Sequence, residues 1–164
     1  MMIKMNIHKN TAYFLAFTFV SAVSFIYLFI AIALVPYWQE LSGPEIQSWW
    51  AGPFTRLSNI MIPLHLLSII TIIYAFIVNG KGSKDKFLWL MALITLLVCQ
   101  GFNMGLHGPV YNPELQSGVL EAKVALATFD DWDFYHTVRT IAVIISMTSL
   151  LLIGIRQNAA VKAN

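Results

Sequence analysis

The residues best suited to chemistry stand together late in the chain. Asp131, Trp132, Asp133, Phe134, Tyr135, His136, Thr137, Val138 and Arg139 are consecutive, and helical spacing puts Trp132, His136 and Arg139 at i, i+4 and i+7 on one face. Asp133 precedes His136 by three residues, close enough to orient its ring. A histidine held by a carboxylate is a general base, a neighbouring guanidinium stabilises an oxyanion, and a tryptophan holds a flat ring. Capping by Asp130, Asp131 and Asp133 with a snorkelling Arg139 explains the acids but leaves His136 without a purpose.

Two more polar groups lie within apolar sequence. Gln100, Asn103 and His107 recur at i, i+3 and i+7, a single stripe that lipid would force inward. His65 sits inside Pro63, Leu64, His65, Leu66 and Leu67, on the helical face of Ser58, Ser68 and Ile72 and roughly 10 Å below the outer boundary. Its imidazole therefore needs a partner inside the protein. His65, His107 and His136 fall on three helices, so they also permit a metal or haem site. Three histidines suit copper, and two with Asp133 or Glu114 suit iron. No His/Glu pair has the local i, i+3 or i+4 spacing of di-iron bundles.

Helices must carry these groups. Apolar runs at 12–35, 57–78 and 87–107 each approach or exceed the ~20 helical residues that cross a bilayer. The fourth is short and must recruit its preceding turn, giving a span at about 135–155 that draws His136 and Arg139 into the membrane margin. Composition agrees, since 58% of the 164 residues are hydrophobic and 11% charged, against about 25% charged in an average soluble domain. A lone Cys99 excludes an internal disulfide. A net charge of +2 on so apolar a chain points away from nucleic acid and toward the bilayer as partner.

Lys4, Lys9, Lys81, Lys84, Lys86, Arg156 and Lys162 gather on the side of both termini and the 79–86 turn, against Asp85 alone. Arg56, Lys123 and Arg139 share the other side with Glu40, Glu45, Glu114, Glu121, Asp130, Asp131 and Asp133. Positive charge marks the cytoplasmic face, so both termini are expected inside, in a bacterial inner membrane. The apolar run after Lys4 and Lys9 exceeds the ~7–15 residues of a signal peptide and reads as a retained span. The expectation is an all-α integral membrane four-helix bundle, one domain over 1–164, N-in and C-in.

Gly101 and Gly105, with Gly108 a turn later, read as a packing seam, as do Thr18, Ser21 and Ser24; the glycine seam fits contact with a second copy or a membrane complex as well. Pro63 predicts a kink. Trp38, Trp49, Trp50 and Trp132 fall in or beside the outward loops 36–56 and 107–133, with Tyr37, Phe54, Tyr111, Phe129 and Tyr135. That one-sided excess predicts an aromatic lid over a pocket for something flat and apolar, with Trp49 and Trp50 touching it.

Four spans, Pro36 just after the first, the segment Pro109, Val110, Tyr111, Asn112, Pro113, Glu114 and Leu115 after the third, and Trp132, His136 and Arg139 opening the fourth resemble the anthrone oxygenase-like family of small membrane proteins. The resemblance runs from about residue 15 to 155. It implies a four-span fold and, in the polyketide members, oxidation of an anthrone to an anthraquinone by dioxygen without an obvious cofactor. It carries over to Asn112, Trp132, His136 and Arg139, while His65, His107 and the acidic run lie outside its pattern. An anthrone CH2 is acidic because its carbanion is a phenolate-type anion, which can pass an electron to dioxygen. In that chemistry His136, oriented by Asp133, is the base and Arg139 holds the oxyanion. Trp132, Asn112, Asn103, Gln100, Trp49 and Trp50 would contact a lipophilic, aromatic or polycyclic substrate. The competing expectation is a non-catalytic carrier or a small subunit of a membrane complex. Transport by a monomer fits poorly, since four spans without paired repeats offer little to alternate.

Overall fold

A computed structural model describes residues 7–162, so Lys4 lies outside the described residues. Four long helices, α1 (His8–Gln39), α2 (Gly43–Gly80), α3 (Lys86–Gln116) and α4 (Ala122–Ala159), are each long and apolar enough to cross a membrane. The described residues contain no strand. The helices outrun the apolar runs that identify them, so the long loops expected at 36–56 and 107–133 shrink to turns at 40–42 and 117–121.

Two local causes explain this extension. At the start of α2 the Ser42 backbone N–H and hydroxyl both donate to the Glu45 carboxylate, at 2.8 and 2.6 Å, a reciprocal cap that lets the helix begin in polar sequence. At the prolines, the backbone widens instead of stopping. Pro53 and Pro109 lie inside the π-helical stretches Trp50–Phe54 and Asn103–Tyr111, and Pro36 follows the stretch Ile30–Leu34. Proline lacks the N–H that would bond residue i−4 and its ring crowds that carbonyl. A wider turn relieves the crowding and carries the chain on. Pro63, by contrast, sits in the α-helical segment Thr55–Ala75.

α1 packs along α2 and α4, and α3 along α4, whereas α2 and α3 join at the hairpin and at the opposite end but scarcely touch between Thr55–Ala75 and Asn103–Tyr111. Small side chains on one face of α1, Ala12, Ala16, Val20 and Val23, share one buried core with Val143, Leu150 and Ile153 of α4 and Trp89, Ala92 and Leu96 of α3. At the hairpin end, where α2 turns into α3, Asn79 donates to the Lys9 carbonyl at 3.0 Å and Arg156 pairs with Asp85 at 2.9 Å. At the opposite end the helices build a second core from Trp38, Ile46, Trp50, Phe54, Leu115, Phe129 and Trp132. Those tryptophans are buried against one another instead of forming an interfacial belt.

Of the expected seams, only part packs within the chain. Gly101 and Gly105 are exposed, with no atom within 4 Å of where a Cβ would stand, so they face away from the bundle. Thr18 is also exposed. Ser24 does serve as a seam, donating to the carbonyls of Val20 at 2.8 Å and Val143 at 3.1 Å. The close helix approach that truly demands glycine is at Gly43, where a Cβ would lie 2.5 Å from the Ala122 carbonyl oxygen. Gly43→Ala is expected to destabilise the fold by about 1–3 kcal/mol through overpacking. Thermal unfolding in detergent measures this, and an unchanged midpoint would show that the α2–α4 contact yields.

Candidate functional site

A cavity of about 170 Å³ lies between the four helices, just beneath the aromatic core. α1 contributes Tyr27 and Ile30. From α2 come Phe54, Ser58, Met61, Ile62 and His65, and from α3 Gln100, Asn103, His107, Gly108 and Asn112. Trp132, His136 and Arg139 of α4 complete the wall. The π-helical stretch Asn103–Tyr111 carries most of the α3 contribution, and wide turns of this kind often occur at functional sites.

Arg139 is the centre of the polar wall and only 5% exposed. Its Nη1 donates to Asn103 Oδ1 and, at 3.4 Å, to Tyr27 Oη, while Nη2 donates to His136 Nδ1 at 3.1 Å. Its Cζ lies 5.1 Å from the Tyr27 ring centroid and 5.7 Å from that of Trp132, so ring faces supply part of its stabilisation. Nε has no partner, and among the described residues no carboxylate stands within ion-pair distance of the guanidinium. Burying a cation costs several kcal/mol unless an anion compensates it. Here only neutral acceptors do so.

Hydrogen-bond logic assigns the histidine tautomers. A carbonyl only accepts, so His65 Nδ1 carries the hydrogen it gives to Met61 O at 2.8 Å. Its Nε2 then accepts from the Tyr27 hydroxyl at 3.0 Å, and Tyr27 Oη accepts from Asn103 Nδ2 at 2.9 Å. Arg139, Asn103, Tyr27, His65 and Met61 thus form one directed chain of donors. His136 has its Nδ1 lone pair occupied by Arg139, and its Nε2 stands 3.4 Å from Thr140 Oγ1. Its ring is sandwiched between Trp132, 4.9 Å away at 5°, and Tyr27, 5.3 Å away at 11°. His107 donates from Nε2 to the Trp132 carbonyl at 3.3 Å. Its Nδ1, which therefore holds the lone pair, has no hydrogen-bond partner.

Eight expected site residues meet at this cavity: His65, Gln100, Asn103, His107, Asn112, Trp132, His136 and Arg139. Asp133 does not orient His136. It lies on the partly exposed flank of α4, where its carboxylate accepts from Gln39 Nε2 at 3.2 Å, and a carboxylate left in contact with solvent avoids the cost of burial. Asp133→Asn keeps an acceptor for Gln39 and is expected to change ligand affinity or turnover less than twofold; a tenfold loss would restore the His136 pairing.

Trp49 and Trp50 also lie off the cavity wall. Trp49 packs on Tyr37 and Trp38, and Trp50 is buried with Nε1 3.4 Å from Asn112 Oδ1. The aromatic lid is really the underside of the second core, reaching the cavity through Phe54 and Trp132. Nor do the three histidines make a metal set: among the described residues no three His, Cys, Asp or Glu side chains are grouped to hold an ion. His65 and His136 direct their ring nitrogens at protein partners instead.

Tyr27 is the site residue that sequence reasoning missed. Its signal was the one used for His65, a polar group in an apolar span, here in helical register with Val20 and Ser24 on the buried face. Comparison of the chain with protein-family models, with curated proteins and with solved structures finds no match in any of the three.

Proposed function

We propose that this chain is a membrane-embedded, oxygenase-like enzyme that binds a lipophilic aromatic substrate as its anion, with both termini on the cytoplasmic side of a bacterial inner membrane. One observation carries the reading: a buried guanidinium, without a carboxylate partner, in the wall of a cavity. The α-helical segment Lys86–Phe102 has 17 residues and rises about 26 Å at ~1.5 Å per residue. Counted from the charged hairpin, Asn103 and the Arg139 it binds then lie inside a hydrocarbon core of about 30 Å. Charge at that depth is costly enough to mark a functional group.

The chemistry divides among the residues by their free valences. His107 lines the cavity, and its buried Nδ1 has no hydrogen-bond partner in the protein, which makes it the fitting base, in place of His136. His136 and Asn103 hold Arg139, and Arg139 holds the substrate oxyanion. Trp132 and Phe54 offer flat faces to a ring. For a CH2 activated by a carbonyl conjugated with an aryl ring, proton loss gives an enolate-type carbanion. One electron passes to dioxygen, the radical pair joins as a hydroperoxide, and loss of water leaves a new C=O. One oxygen atom enters the product and the other departs in water, so no outside reductant is required. The dioxygen step rests on the resemblance carried by Trp132, His136, Arg139 and Asn112.

Purified protein in nanodiscs should consume oxygen with a single-ring aryl ketone whose α-carbon is a CH2. Labelled dioxygen should place one heavy atom in the new carbonyl. Uptake no faster than with empty nanodiscs across such substrates would overturn the proposal.

A further inference from the structure

The cavity has a side opening, and its position says what shape of molecule enters. Of the lining residues, Ile62 on α2 is 65% exposed, and Gly108 on α3 is exposed as well. At this level the two helices part, since Thr55–Ala75 and Asn103–Tyr111 scarcely touch. The cavity therefore reaches the lateral surface between α2 and α3, not the aromatic end, which is closed by Trp38, Trp50, Phe129 and Trp132. One helical turn along each side of the gap stand Leu66, 58% exposed, and Met104, 74% exposed. The rim is apolar, as an opening onto hydrocarbon must be.

Size supplies the second constraint. A cavity of about 150 Å³ holds one benzene ring, and this one measures about 170 Å³. A single ring fits, and three fused rings do not. The polar wall lies inward of the rim, so a ring entering from the side presents its oxygen to Arg139 and leaves any substituent in the gap.

Building on the anion-binding reading above, we infer that the substrate has a single acidic ring as head group and a long apolar tail, and that it enters sideways from the bilayer between α2 and α3. The head occupies the cavity among Tyr27, His107 and Arg139. Its tail passes Ile62 and Gly108 and stays in the lipid. Tail length then contributes to membrane partitioning and hardly at all to binding from the membrane.

The probes are 2,6-dibromo-4-alkylphenols with ethyl, octyl and hexadecyl tails, together with a dibrominated hydroxyanthrone. The bromines quench tryptophan fluorescence on contact, and affinities are referred to ligand dissolved in the nanodisc lipid. The three phenols are expected to bind within threefold of each other, and the tricyclic probe at least tenfold more weakly. Ile62→Trp, which fills the rim, should weaken the hexadecyl phenol at least tenfold more than the ethyl phenol. Ile62→Phe should act in the same order if the tryptophan variant does not fold. Affinity that falls steadily as the tail lengthens, equal binding of the tricyclic probe, or equal effects of the rim variants on all tails would overturn the side entry while leaving anion binding intact. Loss of all ring binding, or binding indifferent to Arg139→Gln, would overturn both.

Discussion

Arg139→Met is expected to abolish turnover, by a factor on the order of 10² or more, while leaving the thermal midpoint unchanged or higher. The two halves of this result have different origins. Activity falls because the positive group facing the cavity is lost. Stability does not fall with it because a cation without a carboxylate is expensive to bury, and exchanging buried charge for well-packed apolar volume is often neutral or stabilising by about 1–4 kcal/mol. The acceptors left behind limit the gain. Asn103 Oδ1 can take the Tyr27 hydroxyl at 3.1 Å only by drawing it from His65 Nε2, and His136 Nδ1 loses its donor, each loss costing roughly 1–3 kcal/mol. Arg139→Lys should fall between, since an ammonium cannot span Asn103 and His136 with the rigid fork of a guanidinium. Melting curves in detergent, set beside kcat/KM for the same preparations, make the test. A methionine variant that melts well below the wild type yet keeps turnover would mean that Arg139 serves the fold.

The second large effect concerns the base. His107→Gln is expected to lower kcat by about 10²–10⁴ with KM within roughly threefold, because the side chain that takes the proton changes while ring contacts and Arg139 persist. His136→Asn keeps an acceptor near Arg139 and should cost far less, on the order of tenfold, through loss of the stack on Trp132 and Tyr27. Steady-state kinetics on the two variants separate the roles. A near-normal His107→Gln beside an inactive His136→Asn would return the proton transfer to His136.

Side by side, the two histidines show where the sequence stopped being informative. Both were recognisable as candidates because imidazole in or beside an apolar span has to turn inward, whatever its partner. Their roles differ through the bonds that each ring makes: Arg139, three residues on in the same helix, holds one, and the Trp132 carbonyl of another helix holds the other. Asp133 failed as an orienting group for a related reason. Its spacing allowed His136, but the carboxylate faces the solvated flank where Gln39 of α1 arrives.

The prolines and glycines carried the same ambiguity. Pro36 and Pro109 read as helix ends, and tertiary packing carried the helices onward through π-helical turns. Gly101 and Gly105 have seam spacing, yet the helix rotation leaves them facing outward, while the unremarked Gly43 touches Ala122. Tyr27 went unnoticed within an apolar run and proved to bridge Asn103, His65 and Arg139.

What the residues alone determined is that four helices form and that His65, Gln100, Asn103, His107, His136 and Arg139 are costly to expose to lipid. That follows from transfer free energy, a property of each side chain taken singly. Only the folded chain decided which histidine nitrogen is left without a partner, which cation lacks an anion and between which two helices the cavity reaches the surface. Hydrogen bonds and helix contacts are pairwise and directional, and within the site their partners lie up to 112 residues apart.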